Sequence, residues 1–368
     1  MLSLRDFWRR HRRKVFVSAG VLGTGYLLYK LYDAHNKRLA DLEKELANER
    51  ENDELLKAHM QAHFENIQRI ADASTLPHAM HYLSCRVAEG LDLSHLMERL
   101  MKGRGQPNTL SQAEKLELWD KLKILSFTRM VLSLWAMTVL SLYIRVQVNI
   151  LGRHLYIDTA RGLGSSQLED SNLIDMEDQE KFLASADFLS NQGLPALISN
   201  MQAAATEVLK GKQLRDNFSS ITLRETIMQI MDTFMSMGSP HHWVDYMMHQ
   251  DAKSCSPASP SSTDGSILPS ATKFDQLMME ARMVLSSEEF RSVVDTSFNI
   301  VANALVEDFE VQNAENPGTP LAKLLPRVAQ VGPLLLEEPN KNRFIQIIRN
   351  APEVEVFFTL LYANMPSS

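Results

Sequence analysis

Fifteen consecutive uncharged residues, Met130 to Ile144 (MVLSLWAMTVLSLYI), restrict the folding of this chain more than any other segment. The run is bounded by Arg129 and Arg145 and is apolar on every side instead of along one stripe. A helix of that kind must be surrounded, either by other helices of a large domain or by lipid. It would be about 22 Å long, short of the roughly 30 Å hydrocarbon core, and the arginines at its ends make a span costlier. Apolar periodicity also continues on both sides, through Leu116, Leu122 and Leu125 before it and Val146, Val148 and Ile150 after it. The segment is expected to be the central helix of a helical domain, with a second membrane span as the alternative.

A different environment is expected for residues 15–32, VFVSAGVLGTGYLLYKLY, which follow the basic cluster Arg9, Arg10, Arg12, Arg13 and Lys14. Val15, Val21, Leu22, Tyr26, Leu27 and Leu28 lie in its uninterrupted part, about 22 Å of helix. Leu31 and Tyr32 add about 4 Å, and Lys14 and Lys30 can snorkel to the two interfaces. Tyr26, Tyr29 and Tyr32 would lie near one headgroup belt. A cleaved signal and a buried core helix are the competing readings. The residues after Tyr29 are bulky or charged, unlike a cleavage site. Gly20, Gly23 and Gly25 cost about 1 kcal/mol each in a water-exposed helix but are frequent in membrane helices. An uncleaved anchor is therefore expected: a basic N-terminus (1–14), a transmembrane segment (15–32) and a helical domain (33–368).

The 368-residue length suits one large domain or two. A formal charge of −7 argues against nucleic acid as a partner. Cys85 and Cys255 lie far apart and give neither a disulfide framework nor zinc spacing, which fits a reducing compartment.

Helical periodicity recurs throughout, and strand signals are almost absent, so an all-α fold is expected. Leu39, Leu42, Leu46, Leu56, Met60, Phe64 and Ile67 form the apolar edge of a charged helix leading from the anchor. Pro77 opens the next helix, and Leu91 to Lys102 gives a third, ending in Gly103-Arg104-Gly105. Ser111-Gln-Ala-Glu114 is a capping-box pattern at the start of the longest helix, Ser111 to about Leu151. Asp158 to Asp175 reads as a linker. Further helices are expected from about Glu177, Leu194, Thr222 (with Glu225 as a second capping box), Lys273, Ser287, Pro320, Asn340 and Pro352. The Ser/Pro-rich stretch 254–270 is expected to be a flexible loop.

No residue pattern points to catalysis. His59 and His63 share a helical face without a third ligand, and solvated histidines are the simpler account. His78, His81, His241 and His242 are read the same way. Gly162-Leu-Gly164-Ser-Ser lacks the lysine of a phosphate loop. No cofactor, metal or small-molecule substrate is expected. Nineteen methionines suit an adaptable interior or a groove for an apolar partner.

The surface feature of most interest is KLELWDKLKILSFTR, Lys115 to Arg129. At about 100° per residue, Lys115, Leu118, Trp119, Leu122 and Ser126 share one stripe, while Leu116, Ile124 and Phe127 lie on another side. One side can face the core, and the other, headed by Trp119, can form a partner groove; burial of both sides is the alternative.

This run, followed by LYIRVQVNILGRHLYID at Leu142 to Asp158, resembles the signature of the peroxin three family. The basic cluster, the short glycine-bearing anchor and the long charged helix match the family pattern as well. The resemblance is strongest from Leu116 to Asp158 and thin after Gly164. It implies a cytosol-facing, all-helical domain on an N-terminal peroxisomal anchor. It also implies docking of peroxin nineteen, the soluble receptor that chaperones new peroxisomal membrane proteins, whose amphipathic helix would lie in a groove. By motif position the groove would include Trp119, Lys115 and Leu122. Leu100-Met101-Lys102-Gly103-Arg104 resembles the family's Leu-Leu-Lys-x-Arg and adds Met101 and Lys102. The positive-inside rule would send the domain the other way, but it describes a different insertion machinery. The basic cluster would then meet anionic headgroups of the peroxisomal membrane, at about 1 kcal/mol per residue. Organelle tethering or inheritance, and a membrane-bound helical enzyme, are the alternative functions.

Overall fold

The computed structural model describes residues 68–105, 111–164, 175–249, 272–312 and 318–363, together with scattered positions between 37 and 66. The chain divides into two units, residues 1–63 and 64–368. In the first, the described positions are helical and exposed, Leu46 among them. The anchor 15–32, the stripe residues Leu39, Leu42, Leu56, Met60, Phe64 and Ile67, and the loop 254–270 lie outside the described residues.

The second unit is a helical bundle. A π-helical turn, Ala71–Thr75, runs into α1 (Leu76–Gly90), with Pro77 in its first turn, where its missing N–H breaks no helical bond. There follow α2 (Ser94–Gly105), α3 (Gln112–Gly164), α4 (Met176–Ala184), α5 (Leu194–Leu209), α6 (Ser220–Met235), α7 (Lys273–Leu285), α8 (Glu288–Gln312), α9 (Leu321–Leu335), α10 (Arg343–Arg349) and α11 (Pro352–Ala363). The one strand pair among the described residues is antiparallel and two residues long, Asn217–Phe218 against Thr319–Pro320.

Helix α3 is the axis. All fifteen residues from Met130 to Ile144 are buried. Residues Gln112–Ile157 are long and apolar enough to cross a membrane, yet 94% of their most apolar window is buried inside the protein. This is therefore the core helix. Helices α9 and α5 pack most extensively along it, and α1, α2, α7, α8 and α11 also lie against it. At its middle, the Trp135 ring meets Phe234 edge-on at 5.6 Å and Trp243 at 6.4 Å, and Trp243 stacks on Phe290 at 6.0 Å. The His241-His242-Trp243 sequence thus serves this aromatic layer through a 3₁₀ turn, His242–Tyr246.

Polar side chains fix two corners of the bundle. Gln147, fully buried on α3, donates to the Phe182 carbonyl at 2.6 Å and to Ser185 Oγ at 2.9 Å, tying α3 to the end of α4. Arg145 donates to Gln68 Oε1 at 2.9 Å and lies 4.3 Å over the Phe358 ring, while Arg349 pairs with Asp72 at 2.7 Å. Burial draws the Arg145 guanidinium down to about 10, with Asp72 opposing the shift.

Three sequence expectations need correction. Helix α3 continues through Gly164, so the first part of the expected linker is helical. The cap of α6 is Ser219, whose side chain accepts from Thr222 N, so the helix starts before Thr222. Finally, the stripe Leu118–Leu122–Ser126 turns inward and is buried, as is Phe127 from the other stripe, whereas Leu116 is 58% exposed. The segment does have two apolar sides, but the side bearing Trp119 is largely the inner one.

Candidate docking cleft

Three helix segments converge here: the first half of α3, the start of α2, and α9. The start of α3 is fixed by the expected capping box: Ser111 N donates to Glu114 Oε2 at 2.7 Å, and Glu114 N donates to Ser111 Oγ at 3.2 Å. The start of α2 is held by Asp92, whose carboxylate accepts from Ser94 N at 2.9 Å. That bond, with a smaller contribution from Arg129, keeps the Asp92 carboxyl below its ordinary range. The third segment is α9, which approaches α3 closely because residue 332 is glycine. A Cβ at Gly332 would stand 2.9 Å from Arg129 Cγ and 3.2 Å from Ser133 Oγ.

Between α2 and α9 an open cleft of about 350 Å³ remains, lined by Leu93, Ser94 and Met97 on one side and Ala329, Gln330, Pro333 and Leu334 on the other. Beneath and beside it, Leu93, Leu122 and Ala329 form a buried apolar cluster. Met97, Leu100, Trp119 and Leu125 pack against that cluster and are only partly buried. Leu334 is 53% exposed and Met101 75% exposed. Water thus meets an apolar surface contributed by three helices. Among the described residues, Arg129 is the one charged residue lining the cleft.

The sequence-derived residues take distinct places here. Trp119 is half-buried on the cluster, one turn from Leu122, which at 2% exposure belongs to the floor and not to the open surface. Lys115 is half-buried one turn earlier on α3. Met101 is an exposed residue of α2, and Lys102 follows it in the same helix, its side chain outside the description. The sequence reading missed Leu93, Met97, Ala329 and Leu334 as cleft residues, and Arg129 as more than a boundary charge. Helix α9 was legible as a helix, but nothing local says that it closes the cleft. Among the described residues no group of three or more His, Cys, Asp or Glu side chains is placed to hold a metal ion.

A family model described as Peroxin-3 matches residues 73–364. The chain belongs to the Peroxin-3 family. The matched span takes in α1 through α11, including all three walls of the cleft. Similar proteins agree with that membership. Peroxisome biogenesis protein 3-2 of Arabidopsis thaliana is 60% identical over 368 residues, covering 99% of both chains. Peroxisomal biogenesis factor 3 of Homo sapiens is 26% identical over 392 residues, covering 98% of this chain and 96% of that protein. The Yarrowia lipolytica factor of the same name is 21% identical over 437 residues. As a Peroxin-3 protein, the chain has a role in peroxisome biogenesis and is associated with the peroxisome.

Proposed function

We propose that this Peroxin-3 protein is a non-enzymatic docking factor for peroxin nineteen, serving the import and insertion of peroxisomal membrane proteins. In this reading residues 15–32 hold it in the peroxisomal membrane by a single span, and residues 33–368 face the cytosol. The partner's amphipathic helix lies in the cleft between α2, α3 and α9. The observation that carries the proposal is Trp119: a tryptophan of the signature segment left half-buried on the cluster Leu93, Leu122 and Ala329, of which Leu93 and Ala329 also line the cleft. An amphipathic helix recognised in a groove needs such apolar surface for its anchors and a polar rim to orient it. Met97, Leu100, Met101 and Leu334 extend the apolar surface, and Lys102 and Lys115 supply rim charge for an acidic partner helix.

The test is a calorimetric titration of purified peroxin nineteen into the full chain held in lipid nanodiscs. Trp119→Ala should weaken binding on the order of thirtyfold or more, as expected for an aromatic anchor worth about 2 kcal/mol. Lys115→Ala should weaken it less, and in a salt-dependent way. Lack of binding by the unaltered chain would remove the proposal.

A further inference from the structure

Arg129, on α3, lines the cleft with its aliphatic stem against Gly332 of α9. It makes no hydrogen bond and no ion pair among the described residues. Its Nε is shut off from water and has no hydrogen-bond partner among the described residues, while the residue as a whole stays partly exposed where it lines the cleft. The nearest carboxylate that acts on it, Asp92, is not within ion-pair distance and is already engaged by Ser94 N. Partial dehydration pulls the Arg129 guanidinium below its ordinary value, and Asp92 opposes that only in part. A guanidinium half out of water, with one nitrogen unsatisfied, is costly to keep. Filling space against Gly332 needs only the stem, since any long unbranched side chain supplies that.

We infer that Arg129 receives a carboxylate of the docked helix, making it a polar register point that complements the apolar anchor at Trp119. This rests on the docking function proposed above and adds the chemistry of one contact to it. A carboxylate suits the planar fork of a guanidinium, which donates to two oxygens side by side, and the apolar walls around it shield the pair from water. Arg129 stands ten positions after Trp119 on one continuous helix, about 15 Å along its axis. A partner helix running along α3 must therefore carry an Asp or Glu about ten residues from the apolar side chain that meets Trp119. A helix with the right apolar stripe but no acid at that spacing would leave the guanidinium dehydrated and unpaired, which makes Arg129 a specificity residue.

The experiment again uses the full chain in nanodiscs, titrated with peroxin nineteen at low and high salt. Arg129→Gln should bind about tenfold more weakly, with a shallower salt dependence, and Arg129→Lys should recover only part of the loss. Pairing Arg129→Gln with single Asp→Asn or Glu→Gln changes along the partner helix should reveal one position whose effect vanishes in the Arg129 variant. Binding that Arg129→Gln leaves unchanged in affinity and salt dependence, while Trp119→Ala weakens it, overturns the inference and leaves the docking function standing. No binding by the unaltered chain overturns both. If Arg129→Gln lowers the melting temperature, the partner scan against the unaltered chain decides: one carboxylate costing about tenfold supports the inference, and none above twofold overturns it.

Discussion

Gly332→Ala is the substitution that most directly probes how the cleft is closed. Two opposing terms set its outcome. Replacing glycine by alanine inside a helix favours the fold by about 1 kcal/mol, and Gly332 lies within α9. Against that, the added Cβ would be 2.9 Å from Arg129 Cγ, 3.2 Å from Ser133 Oγ and 3.3 Å from Arg129 Cδ. The closest of these atoms belongs to the root of a packed side chain on the core helix, so relief requires α9 to move or the Arg129 stem to rotate. Overpacking of this kind costs about 1–3 kcal/mol. The net expectation is a loss of up to about 2 kcal/mol, or a few degrees in melting temperature for a domain of this size. Gly211, in the turn after α5, provides the control, because nothing lies within 4 Å of its Cβ position. Gly211→Ala should be neutral or stabilising by about 0.4–1 kcal/mol through the unfolded state. Thermal unfolding followed by circular dichroism reads both. If Gly332→Ala is as stabilising as Gly211→Ala, the close approach of α9 to α3 is not what holds the cleft wall in place.

Two other perturbations test separate parts of the account. Burial raises the Asp295 carboxyl above its ordinary value; Arg291 opposes the rise, and Asp232 and Glu288 add to it. A carboxyl with a raised folded-state pKa binds its proton more tightly in the fold. Its contribution is therefore intact below the unfolded pKa and is lost as pH rises through the folded one. Asp295→Asn should accordingly raise the melting temperature at neutral pH and leave it unchanged in acid below the carboxylate range; a fall at neutral pH would contradict this. Removing residues 1–33 should yield a protein that alkaline carbonate strips from membranes, because the Met130–Ile144 run is enclosed by other helices. Retention in the membrane pellet would mean that α3 meets lipid.

The fold was legible in the sequence where local chemistry decides it. An uncharged run that is apolar on every side had to be enclosed, and Met130 to Ile144 is enclosed. Ser111 and Glu114 satisfy each other's backbone amides at just the spacing that marks a helix start. At α6 the sequence misled: Thr222 and Glu225 have capping-box spacing, but the backbone is extended at Ser219, which caps the helix one turn earlier. The cleft was legible only on its α3 side. Periodicity grouped Leu118, Trp119 and Leu122 on one stripe, but which of them reach the surface depends on Leu93, just before α2, and Ala329 of α9, far apart in the chain. Ala329 and Gly332 carry no signal by themselves, since their role is to be small where two helices meet. Arg129 looked like the boundary of an apolar run because its lack of a partner among the described residues appears only once α2 and α9 are in place.

The most direct test of docking in the α2–α3–α9 cleft is site-specific photo-cross-linking. A photoreactive residue is placed at Met97 on the cleft wall, or at Met283, 63% exposed on α7, as the control. The full chain in peroxisomal membranes is then illuminated with peroxin nineteen present. The docking account predicts an adduct with the N-terminal region of peroxin nineteen from position 97, reduced by Trp119→Ala, and none from position 283. Equal adducts from both positions, or an adduct from position 283 alone, would contradict it.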